Sequence, residues 1–216
     1  MGIDPVRRRR DAVSMLGYVP QTPSLYRDMR MDDHLRLARA LRPGFDLPHA
    51  RDRLAALDIA PNAFAGQLSG GQQAQAALAI ALGTRAPLLL LDEPLASLDP
   101  LARREFLEVA SDAARGGDVS IVLSSHVLSE IEAVADRLLV LGEGRVLFED
   151  TIASTLARHR VLDDGANLEG LDLVAPFPGQ GRARHVLIRT SDASVGRAGS
   201  LEEVVMGYLA LGRRAA

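Results

Sequence analysis

Apolar positions along the chain first gather in a short run over residues 15–20 that closes with Pro20-Gln21, a pattern that predicts a strand running into a loop. The spacing then lengthens. Leu35, Leu37, Ala38 and Leu41 recur at helical intervals within residues 32–42, and residues 51–57 repeat the pattern over a shorter helix. Residues 61–67 read as a connector. Ser69 opens a helix that runs to Leu82, with Gly83 as its stop. Residues 87–91 are an unbroken apolar run, which predicts a strand buried on both faces of a parallel sheet. Asp99 and Pro100 supply an N-cap and a first-turn proline for the next helix, which Gly116-Gly117 ends. Residues 120–123 predict a second buried strand, and residues 127–135 a further helix. Strands alternating with helices imply an α/β fold around a parallel sheet.

Beyond residue 137 the pattern changes. Residues 138–141 and 145–148 flank Gly142-Glu143-Gly144 and predict a β-hairpin, followed by a short helix over residues 152–158. From Val161 onward glycine and proline interrupt the chain, leaving one predicted strand at 185–189 and a helix at 201–211. The expected division is a main domain over 1–160, with a helical subdomain over about 22–82, and a small α+β appendage over 161–216.

Composition narrows the function classes. The 216 residues are 47% hydrophobic and 25% charged, as in globular chains, and the net charge of −3 gives no reason to expect a nucleic-acid partner. Cysteine is absent, which excludes disulfides and thiolate metal sites. No apolar run approaches the roughly 18 residues a membrane span needs, so work at a membrane requires another polypeptide to do the spanning. Arginines 7–10 are followed by no apolar stretch, which argues against a secretory leader. All 25 basic residues are arginine, so a G-x-x-x-x-G-K-[ST] phosphate loop is not among these residues.

Several short strings could carry chemistry. In Leu68-Ser69-Gly70-Gly71-Gln72 the glycines allow a backbone to lie close to a phosphate, and the helix that follows aims its N–H groups at the anion. Ser69-x-x-Gln72 is equally an ordinary capping box, and the pentapeptide alone supports both readings. The apolar run ending in Asp92-Glu93 delivers two carboxylates to the strand edge where open α/β sheets bind ligands. Asp92 is placed to hold Mg²⁺, and Glu93 to polarise an attacking water; an acidic pair can also simply end a strand before Pro94. Asp99, in Ser97-Leu98-Asp99-Pro100, suffices as a plain N-cap. His126, in Ser124-Ser125-His126, ends a second strand at the same edge, where a γ-phosphate contact belongs. Gln21 ends another strand and could give a neutral oxygen to the metal or orient water.

In order and spacing these elements resemble the ATP-binding subunit of ABC transporters, over roughly residues 5–160. Gly17-Tyr18-Val19-Pro20-Gln21 is similar to the family's Q-loop, residues 68–72 to its signature motif, residues 88–93 to its Walker B strand, residues 97–100 to its D-loop and His126 to its switch histidine. The resemblance implies a P-loop NTPase-like sheet and two subunits that close head to tail around two ATP molecules. It also implies Mg²⁺ as cofactor, a membrane-spanning permease as partner and a peripheral place on the inner face of the cell membrane. Ser69, Gly70, Gly71, Gln72, Gln21 and Asp99 would contact nucleotide, Asp92 and Gln21 the metal, with Glu93 and His126 catalytic. The string from Gly199 to Val205 is similar to the tail of drug-export subunits and implies an exporter. Departures are equally informative. The family's first strand, its adenine-stacking loop and its lysine-bearing phosphate loop have no counterpart here, which implies truncation by at least one βαβ unit of about 30 residues. Alternatives are a non-catalytic subunit that offers only its signature motif to an intact partner, and a soluble ABC-type ATPase of DNA maintenance or translation, which long heptads or a second tandem domain would support; these residues contain neither.

These 216 residues should therefore bind Mg-ATP very weakly, because the lysine loop normally makes most β- and γ-phosphate contacts. Calorimetric titration checks this, and micromolar affinity would contradict it.

Overall fold

The computed structural model describes residues 2–22, 24–96, 98–117, 119–179 and 183–214. Two compact units emerge, Met1–His126 and Val127–Ala216. The boundary expected near residue 160 falls inside the second unit.

The first unit opens with α1 (Arg9–Ser14) and β1 (Leu16–Val19), followed by α2 (Met31–Leu41), α3 (Leu47–Ala56), a 3-10 turn at Ala65–Gln67 and α4 (Gly70–Gly83). β2 (Leu88–Asp92), α5 (Pro100–Arg115) and β3 (Ser120–Ser124) complete it. Hydrophobic periodicity could not reveal α1, which buries no residue and is shaped by polar contacts: Asp4 accepts from the Val6 and Arg7 amides, and Arg8 pairs with Asp11. α3 starts earlier than its apolar spacing predicts because Asp46 caps it, accepting from the His49 amide at 2.9 Å, with proline in the first turn. Met31 and Leu35 of α2, Leu47, Ala50 and Leu54 of α3, and Ala76 and Ala79 of α4 share one apolar core with Phe45 and Ile59.

β1, β2 and β3 form a parallel sheet in that order, with Val19 opposite Leu91 and Asp92 opposite Ser124. Neither β2 nor β3 is buried on both faces. In β2 only Leu89 and Leu91 are buried, and β3 buries no residue, with Val122 54% exposed. A run of apolar side chains does not say which faces are covered, and in a three-stranded sheet only the middle strand has neighbours on both sides.

In the second unit α6 (Leu128–Glu132) is shorter than the expected 127–135. β4 (Arg137–Gly142) and β5 (Arg145–Thr151) form the expected hairpin, turned by Glu143 and Gly144 at φ 51° and 70°. Two successive left-handed residues match the twist of the flanking strands. After α7 (Ile152–Arg158) come β6 (His159–Asp163), β7 (Asp172–Pro178), β8 (Arg184–Arg189), β9 (Arg197–Ala198) and α8 (Leu201–Arg214). The last four strands make an antiparallel sheet in the order β7-β8-β6-β9. Val140 of the hairpin joins Val161, Val174, Phe177, Leu187, Val204 and Tyr208 in one core, so the hairpin packs with this unit. α8 lies close over β8 because position 207 is glycine: a Cβ there would stand 2.4 Å from Leu187 Cδ2.

The same core encloses a histidine. His159 is 1% exposed; its Nδ1–H donates to the Thr155 carbonyl at 2.7 Å and its Nε2 accepts from the Tyr208 hydroxyl at 3.0 Å. Phe148 packs edge-on against the ring, and Arg189 donates to the Tyr208 oxygen at 3.1 Å. Every polar atom of the neutral imidazole is satisfied, whereas a charged ring could no longer accept from Tyr208 and would feel the Arg189 charge. Burial, reinforced by the Arg189 and Arg158 charges and opposed by the Thr155 bond, pushes the His159 pKa below its ordinary value of 6.5. The unfolded chain therefore takes up the proton first as pH falls. Stability contributed by neutral His159 is full above about pH 6.5 and is lost as pH drops toward the folded pKa, with a slope of at most about 1.4 kcal/mol per pH unit. Amide exchange of β6 and α8 from pH 8 to 5 should show this loss, and His159→Gln should flatten it.

Candidate functional site

The parallel register sets the ends of three strands side by side, and the polar residues just past each one meet there. Gln21 follows β1 by two residues, β2 ends at Asp92 with Glu93 next, and β3 ends at Ser124, two residues before His126. Glu93 Oε2 is the meeting point: His126 Nδ1 lies 3.0 Å from it and Gln21 Nε2 donates to it at 3.5 Å. Asp92 sits one residue back, its Oδ2 accepting from the Tyr18 hydroxyl at 3.1 Å and its Oδ1 from Ser124 Oγ at 3.0 Å. The Ser124 oxygen in turn accepts from the Glu93 amide at 2.9 Å. The cluster is open to solvent, with the Glu93 side chain 34% exposed and that of His126 65%.

Two of the remaining motifs are positioned by their own helices. Ser69 Oγ accepts from the Gln72 amide at 3.2 Å and the Gln72 side chain accepts from the Ser69 amide at 3.0 Å, a complete capping box at the start of α4. Gly70 and Gly71 form its first turn, and a Cβ on Gly71 would meet Ala102 and Leu98 at ordinary contact distance. Asp99 caps α5 through Oδ1, which accepts from the Leu101 and Ala102 amides at 3.0 and 3.1 Å. Ser97 lies outside the described residues. Thus Gln21, Asp92, Glu93 and His126 are brought together as one cluster, while Ser69–Gln72 and Asp99 each organise a helix start.

Tyr18 and Ser124 were given no role by sequence reasoning, although both stood inside strings it singled out. Parallel pairing was the available signal, since it sets Ser124 opposite Asp92. The loop beyond Gln21 is pinned further on, where the Tyr26 amide donates to buried His34 Nε2 at 2.9 Å.

Residues 3–96 match the family model described as ABC transporter. The chain carries an ABC transporter domain. It is 36% identical over 152 residues to the molybdenum import ATP-binding protein ModC of Aromatoleum aromaticum, across 66% of this chain and 39% of that protein. It is 32% identical over 157 residues to the aliphatic sulfonates import ATP-binding protein SsuB of Albidiferax ferrireducens, across 70% of this chain and 56% of that protein. A solved ATP-binding subunit of an ABC transporter superposes with a TM-score of 0.62 at 27% identity, covering 71% of this chain and 66% of that one. The chain thus spans roughly two fifths to just over half the length of these two curated ABC relatives.

These relatives are named for import, and the expectation of a drug exporter finds no support among them. The string that suggested it has a local explanation. Ser200 Oγ accepts from the Glu203 amide at 3.2 Å and Glu203 Oε2 from the Ser200 amide at 3.0 Å, a capping box that starts α8. Arg197 clamps the same carboxylate and holds its pKa at about 2. No described helix of this ABC chain is long and apolar enough to cross a membrane.

Asp92 also marks its neighbour. Its hydrogen bond and its negative charge hold the proton on the Tyr18 phenol and raise that pKa above 10.0. Asp92→Asn should bring the phenol back toward its ordinary value in an ultraviolet phenolate titration, with Tyr18→Phe identifying the signal. An unmoved titration would show that the pair is not formed in solution.

Proposed function

We propose that this chain is an ATP-binding subunit that couples ATP binding and hydrolysis to transport through a separate membrane permease. The observation that carries the reading is the convergence of Gln21 and His126 on Glu93 at the C-terminal edge of a parallel sheet, beside Asp92. Glu93 is the base. With Oε2 engaged by His126 Nδ1 and the Gln21 amide, Oε1 is left to accept a proton from a water aimed at the γ-phosphate. The donor set suits Mg²⁺, which proteins hold through one or two carboxylates while substrate phosphates and waters complete the shell. Asp92 offers the carboxylate and the Gln21 carbonyl oxygen a neutral ligand, and no all-protein metal cage exists among the described residues. The ion, when bound, neutralises charge on the phosphates.

Ser69 and the first N–H groups of α4 are offered to nucleotide held by a second ATP-binding subunit, with Asp99 at the same boundary. The subunit lies peripherally on the inner face of the membrane, and the names of its relatives favour uptake. A second reading is favoured by the lack of lysine in all 216 residues: the chain donates Ser69–Gln72 to an intact partner and does not hydrolyse ATP at its own carboxylates.

In the complex with its partner subunits, Glu93→Gln should slow ATP hydrolysis by about 10²–10⁴-fold while ATP still binds. Ser69→Arg should also block turnover. Near-normal hydrolysis by Glu93→Gln together with its loss in Ser69→Arg would remove Glu93 as the base and leave the donor-only reading standing.

A further inference from the structure

Glu93 sits at φ 41°, in the left-handed region, although it carries a side chain. A residue with a Cβ is disfavoured there and persists only where its surroundings over-determine it. Two kinds of contact do so. The side chain is drawn to His126 and Gln21, and the amide donates to Ser124 Oγ at 2.9 Å. The same serine hydroxyl donates to Asp92 Oδ1 at 3.0 Å. One oxygen atom on β3 is therefore bonded to both successive residues at the end of β2, to the side chain of the first and the backbone of the second.

We infer that Ser124 is a positioning residue whose hydroxyl holds the Glu93 backbone in its left-handed turn and orients the Asp92 carboxylate. Parallel pairing of Asp92 with Ser124 brings the hydroxyl to this spot. An alanine there would leave the Glu93 amide without its acceptor and Asp92 Oδ1 without its donor, with Tyr18 still on Oδ2. The turn would then relax toward ordinary backbone angles, and the carboxylate would leave His126. Threonine keeps the hydroxyl and suits a strand, so it should keep the arrangement. The hold on Glu93 stands on geometry alone; its bearing on turnover rests on the reading of Glu93 as the base.

The test compares Ser124→Ala and Ser124→Thr with the parent chain. In the chain itself, Ser124→Ala should speed exchange of the Glu93 amide by up to about tenfold, the scale of one lost neutral hydrogen bond. It should also shift the His126 Nδ1 resonance, and Ser124→Thr should restore both. If alanine prevents folding, Ser124→Cys, which keeps the volume and weakens the bonds, is read the same way. In the complex with its partner subunits, Ser124→Ala should lower kcat about ten- to a hundredfold with little change in KM for ATP, and threonine should restore it. Unchanged exchange at Glu93 and an unmoved His126 signal overturn the proposal whatever the turnover. Changed signals with normal turnover in both Ser124→Ala and Glu93→Gln overturn the role of Glu93 instead and leave its hold by Ser124 intact. Changed signals with turnover lost only in Glu93→Gln overturn the catalytic weight of Ser124.

Discussion

The candidate site depends on parallel pairing of β2 with a strand on each side. Because Val19 lies opposite Leu91 and Asp92 opposite Ser124, all three strands finish at one edge. Each strand then delivers to that edge the polar residues at and just beyond its last paired position. A slip of one residue would turn every side chain of the slipped strand to the other face. Asp92 would then leave both Tyr18 and Ser124, and Glu93 could not occupy its turn. The chemistry is therefore specified by backbone hydrogen bonding, with the side chains reading out a register set elsewhere.

That register is held more from one face than from the other. Leu89 and Leu91 are buried, while Val122 of β3 is largely exposed. The edge is thus backed by buried side chains along β2 and more lightly covered along β3. Individual bonds in an open cluster are weak, because water competes for each donor and acceptor. Order there must come from convergence, as when His126 and Gln21 meet at Glu93 Oε2 and the Glu93 amide and the Asp92 carboxylate share the Ser124 hydroxyl. A strained backbone at the centre fits this picture, since left-handed Glu93 is tolerable only with contacts on both its amide and its carboxylate.

The legibility of the sequence divides along the same line. β1, β2, α4, α5 and the hairpin announce themselves through local pattern: an apolar run with a polar end, a capping box, Asp-Pro, and a turn built on Gly144. The strings around Gln21, Asp92, Glu93 and His126 were legible because each ends a strand, and strand ends in parallel sheets gather. Ser124 and Tyr18 were not, since their partners lie far away in sequence and only the pairing joins them. The second unit was harder still. β6 alternates, but its first inward residue is His159, whose polarity hides the period. β7 carries two prolines and a bulge, which an edge strand tolerates and an interior strand does not.

The division at His126 and Val127 has the same origin. The hairpin was read with the preceding strands because it comes after them in sequence, yet Val140 shares its core with Val161, Leu187 and Tyr208. Domains are defined by which apolar surfaces cover one another, and the exposed pattern of a hairpin does not name its cover. Each unit accordingly carries its own kind of internal polar constraint. In the first, charged groups converge at an open edge, where they can meet a phosphate. In the second, His159 and Tyr208 satisfy one another out of water, and Arg189 reaches in from β8. Buried polar groups that complete each other's hydrogen bonds fix a unique packing. Those left at a sheet edge with spare acceptors, as Asp92 and Glu93 are, remain available for ligands. Spare acceptors thus gather at the sheet edge of Met1–His126, while the polar groups in the core of Val127–Ala216 are spent on one another.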